Sequence, residues 1–256
     1  MKLLTIVLSV VTSFLASPAF AGSALDAIRQ RGVLRVGTTG DYKPFTFRNP
    51  DGTYSGADIV MARRLANELQ VQLKLVKTTW STLLADFSAQ KYDVAMGGVS
   101  ILPERAAQGE FSVPVNIDGK RPIVRCEDKG RLNSVEAIDK PDVRVVEPPG
   151  ASNEAFARTK LPHAQLRIHN DNTTIFEEII AGRVDVMVTD GIEVDHQAYL
   201  HPELCAANVE APFSKVSKAY LLPKDNDLVK IVNDWIFKEM SSGDWARVLE
   251  SALHEK

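Results

Sequence analysis

The sequence predicts an α/β protein of two lobes with a ligand cleft between them, and two observations lead to this fold class. Short apolar runs bounded by turn residues alternate with stretches that carry apolar residues at helical spacing, which favours parallel sheets with helices on their faces. In addition, segments 91–96 and 183–188 share one pattern: a basic residue, any residue, an aspartate and an apolar run. The chain is therefore expected to contain two related α/β units.

The first unit begins with a strand at 33–37, which ends at a Thr-Thr-Gly loop. A small hairpin is expected next, because residues 45–47 and 51–54 flank a turn. The apolar residues of 59–69 recur every three or four positions and predict a helix. The remaining elements are a strand, a helix and a strand, in the order 73–76, 82–89 and 92–96.

The second unit repeats this alternation and is followed by a return to the first. Its predicted strands are 122–126, 144–146, 166–168 and 184–188. Its predicted helices are 153–159 and 175–181. The returning segment comprises a strand and two helices, at 219–223, 228–240 and 245–253.

The cleft between these units is expected to hold a small molecule. Two crossings of the chain divide it into lobe 1, comprising 24–116 and 213–256, and lobe 2, comprising 117–212, with the ligand site between them. The net charge is −3 and no block of basic residues is present, which excludes a nucleic-acid partner.

The first 21 residues predict a cleaved secretory signal peptide. Lys2 precedes an apolar run at 3–15, and the small residues Ala19 and Ala21 mark the expected cleavage site. The run is shorter than the roughly 20 residues that span a bilayer, so we expect no stable membrane insertion. Lys2 is the only basic residue of this segment, which points to bacterial Sec-type export into the periplasm.

The two cysteines and five histidines do not predict a metal site. In the oxidising periplasm, Cys126 and Cys205 are expected to form a disulfide, with two buried thiols as the alternative. The histidines lack metal-ligand spacing with these cysteines. The sequence also contains no P-loop and no dinucleotide fingerprint. We therefore predict no metal and no cofactor.

Several motifs together resemble the periplasmic solute-binding proteins of the polar amino acid type, over essentially the whole mature chain. They are Gly-Thr-Thr-Gly-Asp-Tyr-Lys-Pro-Phe at 37–45, Gly-Ala-Asp-Ile at 56–59, Ser-Ile-Leu-Pro-Glu-Arg at 100–105, Phe-Ser-Val-Pro at 111–114, and Gly-Arg-Val-Asp at 182–185 leading to Asp190. Each motif alone is weak, but the set is specific. The resemblance implies the two-lobed solute-binding fold of type II and a small carboxylated ligand.

Within that family, a second set of motifs is similar to the cyclohexadienyl dehydratases. It comprises 40–45, Trp80, 118–120, 153–154, 189–193, 201–205 and 218–223. This resemblance implies a lyase that converts prephenate to phenylpyruvate and arogenate to phenylalanine without a cofactor. The alternative is a binding protein that delivers an amino acid or carboxylate to an ABC transporter. The preference between the two substrates and the oligomeric state stay open.

Prephenate carries two carboxylates and a ring hydroxyl that must leave, so its dehydratase needs cationic groups and a proton donor. Arg105 is the candidate for the first carboxylate, because a guanidinium can donate two parallel hydrogen bonds to it. An arginine on a solvated helix face is the alternative. Ser100 and the backbone N–H groups near Gly97 and Gly98 are expected to add donors.

The dehydratase resemblance implies four further contacts. Lys120 is expected to bind the second carboxylate and to take part in catalysis, although a lysine after an Asp-Gly turn is typically exposed. Trp80 is expected to pack against the substrate ring, and Tyr42 to line the cleft, with core positions as the alternative. Asp41, in the same motif as Tyr42, is expected to bind substrate.

Ser152 and Asn153 lie at the expected start of a helix, directly after a strand end and small residues. Helix N-termini attract anions through free N–H groups and the helix dipole. Both residues are therefore candidate substrate contacts, with simple capping of the helix as the alternative.

Asp190 and Glu193 are the central candidates. In amino-acid receptors of this family, the residue at the place of Asp190 binds the ammonium group of the ligand. Glu193 is the candidate general acid, since burial and the nearby charge of Asp190 would keep it protonated. Their spacing is also that of a capping box at a helix start, which needs no catalytic role.

Overall fold

The computed structural model describes residues 23–255, and the predicted signal segment 1–21 lies outside these described residues. The strands in this range are β1 (Val33–Thr38), β2 (Asp41–Tyr42), β3 (Thr46–Arg48), β4 (Tyr54–Ser55), β5 (Gln72–Lys77), β6 (Val94–Ala95), β7 (Glu110–Phe111), β8 (Asn116–Asp118), β9 (Lys120–Arg125), β10 (Arg144–Glu147), β11 (Gln165–Ile168), β12 (Val186–Asp190), β13 (Leu204–Ala206), β14 (Val216–Lys218) and β15 (Leu221–Leu222). The helices are α1 (Ala24–Arg31), α2 (Ala57–Glu68), α3 (Leu83–Ser88), α4 (Pro103–Gln108), α5 (Val135–Ile138), α6 (Ser152–Lys160), α7 (Ile175–Ile180), α8 (Gly191–Leu200), α9 (Asn226–Ser241) and α10 (Asp244–Leu253).

The first lobe is built on a five-stranded sheet in the order β5-β1-β6-β15-β7. β1 runs parallel to β5 and β6, whereas β15 is antiparallel to β6 and β7. The predicted parallel sheet is thus only partly right, because the strand that returns from the other lobe enters in the opposite direction. Leu34 and Val36 of β1 are fully buried in a core shared with α2 and α9.

The second lobe has a similar five-stranded sheet, in the order β11-β10-β12-β9-β13. β10 is parallel to β11 and β12, and β9 is antiparallel to β12 and β13. The β9–β12 register places Lys120 opposite Asp190, at the carboxyl end of β12. Directly opposed residues on antiparallel strands lie close together, so this pairing positions two candidate site residues side by side.

Two chain segments connect the lobes. β8 and β14 pair with each other as an antiparallel ribbon. The predicted boundary at 116/117 falls within β8 and the one at 212/213 precedes β14, and the extents of the lobes stay a prediction. In each sheet the parallel strands direct their carboxyl ends toward the gap between the lobes, which is where ligands bind in open α/β sheets.

One disulfide joins two neighbouring strands at one edge of the second lobe's sheet. The sulfur atoms of Cys126 and Cys205 are 2.06 Å apart, which joins the turn after β9 to strand β13. The two residues are 79 positions apart in the chain, so the bond closes a long loop and restricts the unfolded chain. Within residues 23–255, no helix is both long and apolar enough to cross a membrane.

Candidate active site

A small cavity of about 20 Å³ lies between the two lobes. This is room for about one water molecule, so the lobes are closed on each other and must move apart to admit a ligand. Its lining residues are Tyr42, Trp80, Gly98, Ser100, Arg105, Pro148, Ala151, Ser152, Asn153, Asn172, Asp190, Glu193 and Lys218. Nine of the eleven residues predicted for the site are among them. Asp41 and Lys120 are the two predicted residues that the structure places outside this lining.

Asp190 lies at the centre of the site and joins the lobes. Its two carboxylate oxygens accept hydrogen bonds from Lys218 Nζ at 2.5 Å and from Lys120 Nζ at 2.9 Å. The hydroxyl of Tyr42 donates to the same carboxylate at 2.6 Å. Burial acts to raise the pKa of Asp190, but the ammonium groups of Lys218 and Lys120 outweigh it and hold this pKa well below its usual range. Asp190 is therefore ionised, and its oxygens accept three hydrogen bonds, two at Oδ2 and one at Oδ1.

Lys120 is buried, with 3% of its surface exposed, so the alternative of an exposed turn lysine is wrong. Its ammonium donates to Ser152 Oγ, to Asn153 Oδ1 and to Asp190 Oδ1. An ammonium has three N–H donors, and these three acceptors use all of them. Lys120 therefore lies outside the cavity lining, and its hydrogen bonds fix the side chains of three residues that belong to the lining.

Ser152 and Asn153 do not cap α6 with their side chains, because the N-cap position is Ala151 and no side-chain capping bond is formed there. Instead both accept hydrogen bonds from Lys120, and Asn153 Nδ2 donates to Thr189 Oγ1 at 2.9 Å. The helix start is therefore held by the polar network of the cleft and by Glu154, which accepts a hydrogen bond from the Gly150 N–H at 2.7 Å.

Four residues of the lining were not predicted as site residues: Pro148, Ala151, Asn172 and Lys218. Lys218 is the charged one among them. It ends β14, is 1% exposed and lines the cavity. Its Nζ donates to Ser100 Oγ at 2.8 Å and to Asp190 Oδ2. One sequence signal existed, since Lys218 directly precedes the apolar run 219–222, where a buried strand rarely begins with a lysine unless that lysine is paired.

Glu193 is 1% exposed in the first turn of α8. Thr189 Oγ1 donates to Glu193 Oε2 at 2.5 Å. The capping-box alternative is wrong, because Asp190 is the N-cap residue and its side chain forms no capping bond. Burial raises the pKa of Glu193 to about 8, and the negative charge of Asp190 adds to this rise against the opposing Thr189 hydrogen bond. At neutral pH this carboxyl is protonated and can donate its O–H.

The raised pKa predicts that Glu193→Gln stabilises the folded protein. The pKa of Glu193 is about 8 in the folded protein and 4.5 for an unperturbed glutamate. The contribution of Glu193 to the free energy of unfolding is therefore fully present below pH 4.5 and is lost as the pH rises toward about 8. Glutamine is neutral throughout and lacks this loss. We expect the free energy of unfolding of the variant, relative to that of the wild type, to rise by about 2 kcal/mol from pH 4.5 to pH 6. Urea unfolding of both proteins at the two pH values measures this change. A stability difference that does not change with pH would contradict the assignment.

Among residues 23–255, Arg105 is the cavity-lining cation that pairs with no carboxylate. It lies in α4 but is only 4% exposed, so the alternative of a solvated helix face is wrong. Within residues 23–255 its recorded acceptor is the backbone oxygen of Ser100, 3.2 Å from Nη1. Its guanidinium carbon lies 5.7 Å from the centre of the Trp80 ring. A buried guanidinium without a carboxylate partner is a natural site for a ligand anion.

The backbone N–H groups of the loop before Arg105 do not have the role predicted for them. The backbone N–H groups of Gly97 and Gly98 donate to Asp58 Oδ2, at 3.0 and 2.7 Å. They are therefore engaged, and the expectation that they donate to a ligand is wrong. Gly98 has φ +71°, and a Cβ there would lie 2.5 Å from the Tyr42 ring, so only glycine allows this wall of the cavity.

Trp80 and Asp41 close one side of the cleft together. The half-buried Trp80 packs edge-on against Tyr42, with 5.8 Å between ring centres. Its Nε1 donates to Asp41 Oδ1 at 3.1 Å, while Asn172 Nδ2 of the other lobe donates to the Asp41 carbonyl at 2.8 Å. Asp41 thus supports Trp80 and the contact between the lobes, whereas Trp80 itself faces the cavity.

The arrangement of two α/β lobes around a cationic cleft defines a class of solute-binding proteins. The sequence profile of bacterial extracellular solute-binding proteins, family 3, matches residues 34–255, and the chain belongs to this family. Across the described residues 23–255, no group of three or more His, Cys, Asp or Glu side chains is arranged to hold a metal ion.

Three individual proteins are similar to this chain over most of its length. The cyclohexadienyl dehydratase of Pseudomonas aeruginosa is 47% identical over 221 residues, which cover 86% of this chain and 82% of the relative. An ancestral amino acid-binding protein, described as a precursor of cyclohexadienyl dehydratase, matches with a TM-score of 0.82 and 34% identity over 91% of this chain and all of the other. An ancestral cyclohexadienyl dehydratase matches with a TM-score of 0.58 and 46% identity, covering 92% of this chain and 98% of the other.

Proposed function

We propose that this chain is a periplasmic dehydratase that converts prephenate to phenylpyruvate and arogenate to phenylalanine. The proposal is carried by the position of Glu193, a buried carboxyl with a raised pKa that lines the same cavity as the Arg105 guanidinium, which pairs with no carboxylate among residues 23–255. The identity to a cyclohexadienyl dehydratase over most of the chain supports the same substrate class. The family of extracellular proteins supports export, which the predicted signal peptide would direct.

The reaction needs one proton and no redox partner. The bond between the ring and its carboxylate breaks, carbon dioxide leaves, and the electron pair of that bond completes the aromatic ring. The C–O bond to the ring hydroxyl breaks at the same time, and Glu193 gives its proton to the departing oxygen, which leaves as water. A proton from solvent then restores Glu193. This class of reaction is a carbon–oxygen lyase, and general-acid assistance typically contributes 10²–10⁴-fold.

The cations of the cleft are assigned to the two carboxylates of the substrate. Arg105 binds one of them, with its planar fork aligned by the Ser100 carbonyl and the Trp80 ring. Lys218, which lines the cavity, is better placed for the second than Lys120, whose three donors already serve the protein. Trp80 contributes a face against which the substrate ring packs.

An amino-acid receptor is the second candidate, since an ancestral amino acid-binding protein shares this fold at a TM-score of 0.82. The two candidates are separated by incubating the purified chain with prephenate and measuring the phenylpyruvate enol in alkali. We expect phenylpyruvate to accumulate in proportion to protein. If prephenate stays unchanged and calorimetry shows tight binding of an amino acid, the chain is a receptor and not a dehydratase.

The raised pKa of Glu193 predicts the pH dependence of turnover. The acid acts only while protonated, so kcat/KM for prephenate is expected to be level below about pH 8, the pKa of this carboxyl, and to fall roughly tenfold per pH unit above it. Initial rates between pH 6 and pH 10 check this. A rate that rises with pH through this range would mean that Glu193 acts as a general base and not as a general acid.

A further inference from the structure

The acidic proton of Glu193 can lie on either of its two carboxyl oxygens, and a buried hydroxyl beside one of them distinguishes the two. Thr189 Oγ1 lies 2.5 Å from Glu193 Oε2. Thr189 belongs to β12 and is fully buried. A hydroxyl can donate a hydrogen bond or accept one. The direction of this hydrogen bond therefore determines which oxygen of Glu193 carries the proton.

Lys120 fixes one half of that direction through Asn153. An ammonium group has donors only, so the atom of Asn153 that accepts from Lys120 is the amide oxygen Oδ1. The amide nitrogen of Asn153 must then face Thr189, and Nδ2 donates to Thr189 Oγ1 at 2.9 Å. The orientation of the Asn153 amide is thus set by a charge, and Thr189 Oγ1 is an acceptor on this side.

The hydroxyl proton of Thr189 is left with one acceptor. Within residues 23–255, the acceptor recorded for this hydroxyl is Glu193 Oε2. If Glu193 donated from Oε2 instead, Thr189 would accept twice and its own proton would be buried without a partner, which costs the desolvation of that donor. Oε2 is therefore the acceptor. Oε1 carries the proton and is the oxygen that remains for the cavity that Glu193 lines.

Resting on the dehydratase activity proposed above, we propose that Thr189 is a positioning residue that places the acidic proton of Glu193 on Oε1, toward the substrate. When the Oε1–H bond breaks and its proton passes to the departing hydroxyl, the electron pair of that bond stays on the carboxylate. The Thr189 O–H is directed at Oε2 beforehand and stabilises the negative charge that spreads to this oxygen. Thr189 acts through Glu193 only, because it lies outside the cavity lining.

The same hydrogen bond affects the pKa of Glu193. Burial raises this pKa, whereas the Thr189 hydrogen bond lowers it, since a donor to a carboxylate favours the charged form. Removing the donor is therefore expected to raise the pKa further. The other charged or titratable groups around Glu193 lie on several neighbouring elements and are Asp190, Lys120, Lys218, Glu147, Tyr42 and Arg105. A change at Thr189 leaves all of these groups in place.

Two substitutions at Thr189 test the proposal by steady-state kinetics with prephenate between pH 6 and pH 10. Thr189→Val keeps the shape of the side chain without the hydroxyl. We expect its kcat at pH 7 to fall about tenfold or more, and the pH above which kcat/KM declines to move up by about one pH unit. Thr189→Ser keeps the hydroxyl and should restore both values. A role in packing alone would lower kcat without this rise in pH.

The matched control is Thr159→Val, which removes a hydroxyl from an exposed threonine on α6. This variant should leave kcat and the pH profile unchanged. If folded Thr189→Val also keeps the wild-type kcat and pH profile, Thr189 does not position the acid.

Infrared spectroscopy gives a readout that needs neither turnover nor a change at Thr189. A carbonyl that accepts a hydrogen bond absorbs at a lower frequency than a free carbonyl. The protonated Glu193 band of the wild type, identified by its loss in Glu193→Gln, is therefore expected at the lowered frequency. A band at the frequency of a free carbonyl overturns the inference and leaves the dehydratase in place. A wild type inert on prephenate overturns the proposed function and this inference with it.

Discussion

Replacing Glu193 with glutamine is expected to lower kcat for prephenate by about 10²-fold or more, the scale of losing a general acid. Glutamine keeps the size of the side chain and can still accept from Thr189, which donates to Glu193 at 2.5 Å. It has no acidic proton for the departing hydroxyl. Affinity for prephenate should remain within tenfold, because neither a neutral acid nor an amide contributes charge to the site.

The matched control for this variant lies on the same helix. Asp195 is two residues further along α8, and its side chain is 59% exposed in an ion pair with Arg121. Asp195→Asn changes the same kind of group outside the cavity and should leave kcat within a factor of two. Steady-state kinetics of both variants, with calorimetric titration for affinity, separate chemistry from binding. Undiminished turnover in Glu193→Gln would remove this residue from the mechanism.

Replacing Arg105 with alanine is expected to weaken prephenate binding by about 10²-fold, the scale of losing a charge-assisted pair at a buried site. Arg105 is a buried cation whose recorded acceptor, within residues 23–255, is a backbone oxygen. The substrate carboxylate would supply its missing anion. Without the guanidinium, that carboxylate would enter the cavity with no partner at this end.

Binding to the Arg105→Ala protein is best measured in the Glu193→Gln background, where the substrate is not consumed. Arg158→Ala serves as the control, because this arginine has 60% of its side chain exposed and pairs with Glu154 on the surface of α6. We expect the control to bind prephenate normally. If Arg105→Ala kept full affinity for prephenate, the assignment of the cleft would be wrong.

Local patterns were sufficient to predict the alternation of helices and strands, because apolar periodicity reports which face of an element is buried. The direction of β15 and β9 was not predictable in this way. Both strands follow a crossing between the lobes, and the direction in which a strand enters a sheet depends on where the chain has come from. The capping-box spacing of Asp190 and Glu193 was misleading for a similar reason, since it describes a helix end in isolation and these side chains face a cleft.

The site was predicted where a residue and its local motif fix the outcome, as for Arg105 and Trp80, which both line the cavity. Lys120 and Lys218 show the limit. Their ammonium groups meet at Asp190, 70 and 28 residues away in sequence, and only the pairing of β9 with β12 and the closure of the two lobes bring them together. How many donors each lysine has left follows from that geometry and not from sequence.

General-acid catalysis by Glu193 requires that its carboxyl is un-ionised at neutral pH in the folded protein. Infrared difference spectroscopy between the wild type and Glu193→Gln measures this directly, because a carboxylic acid and a carboxylate absorb at different frequencies. We predict a protonated carboxyl band at pH 7 that is replaced by a carboxylate band as the pH rises through about 8. A carboxylate band already present at pH 6 would contradict the account.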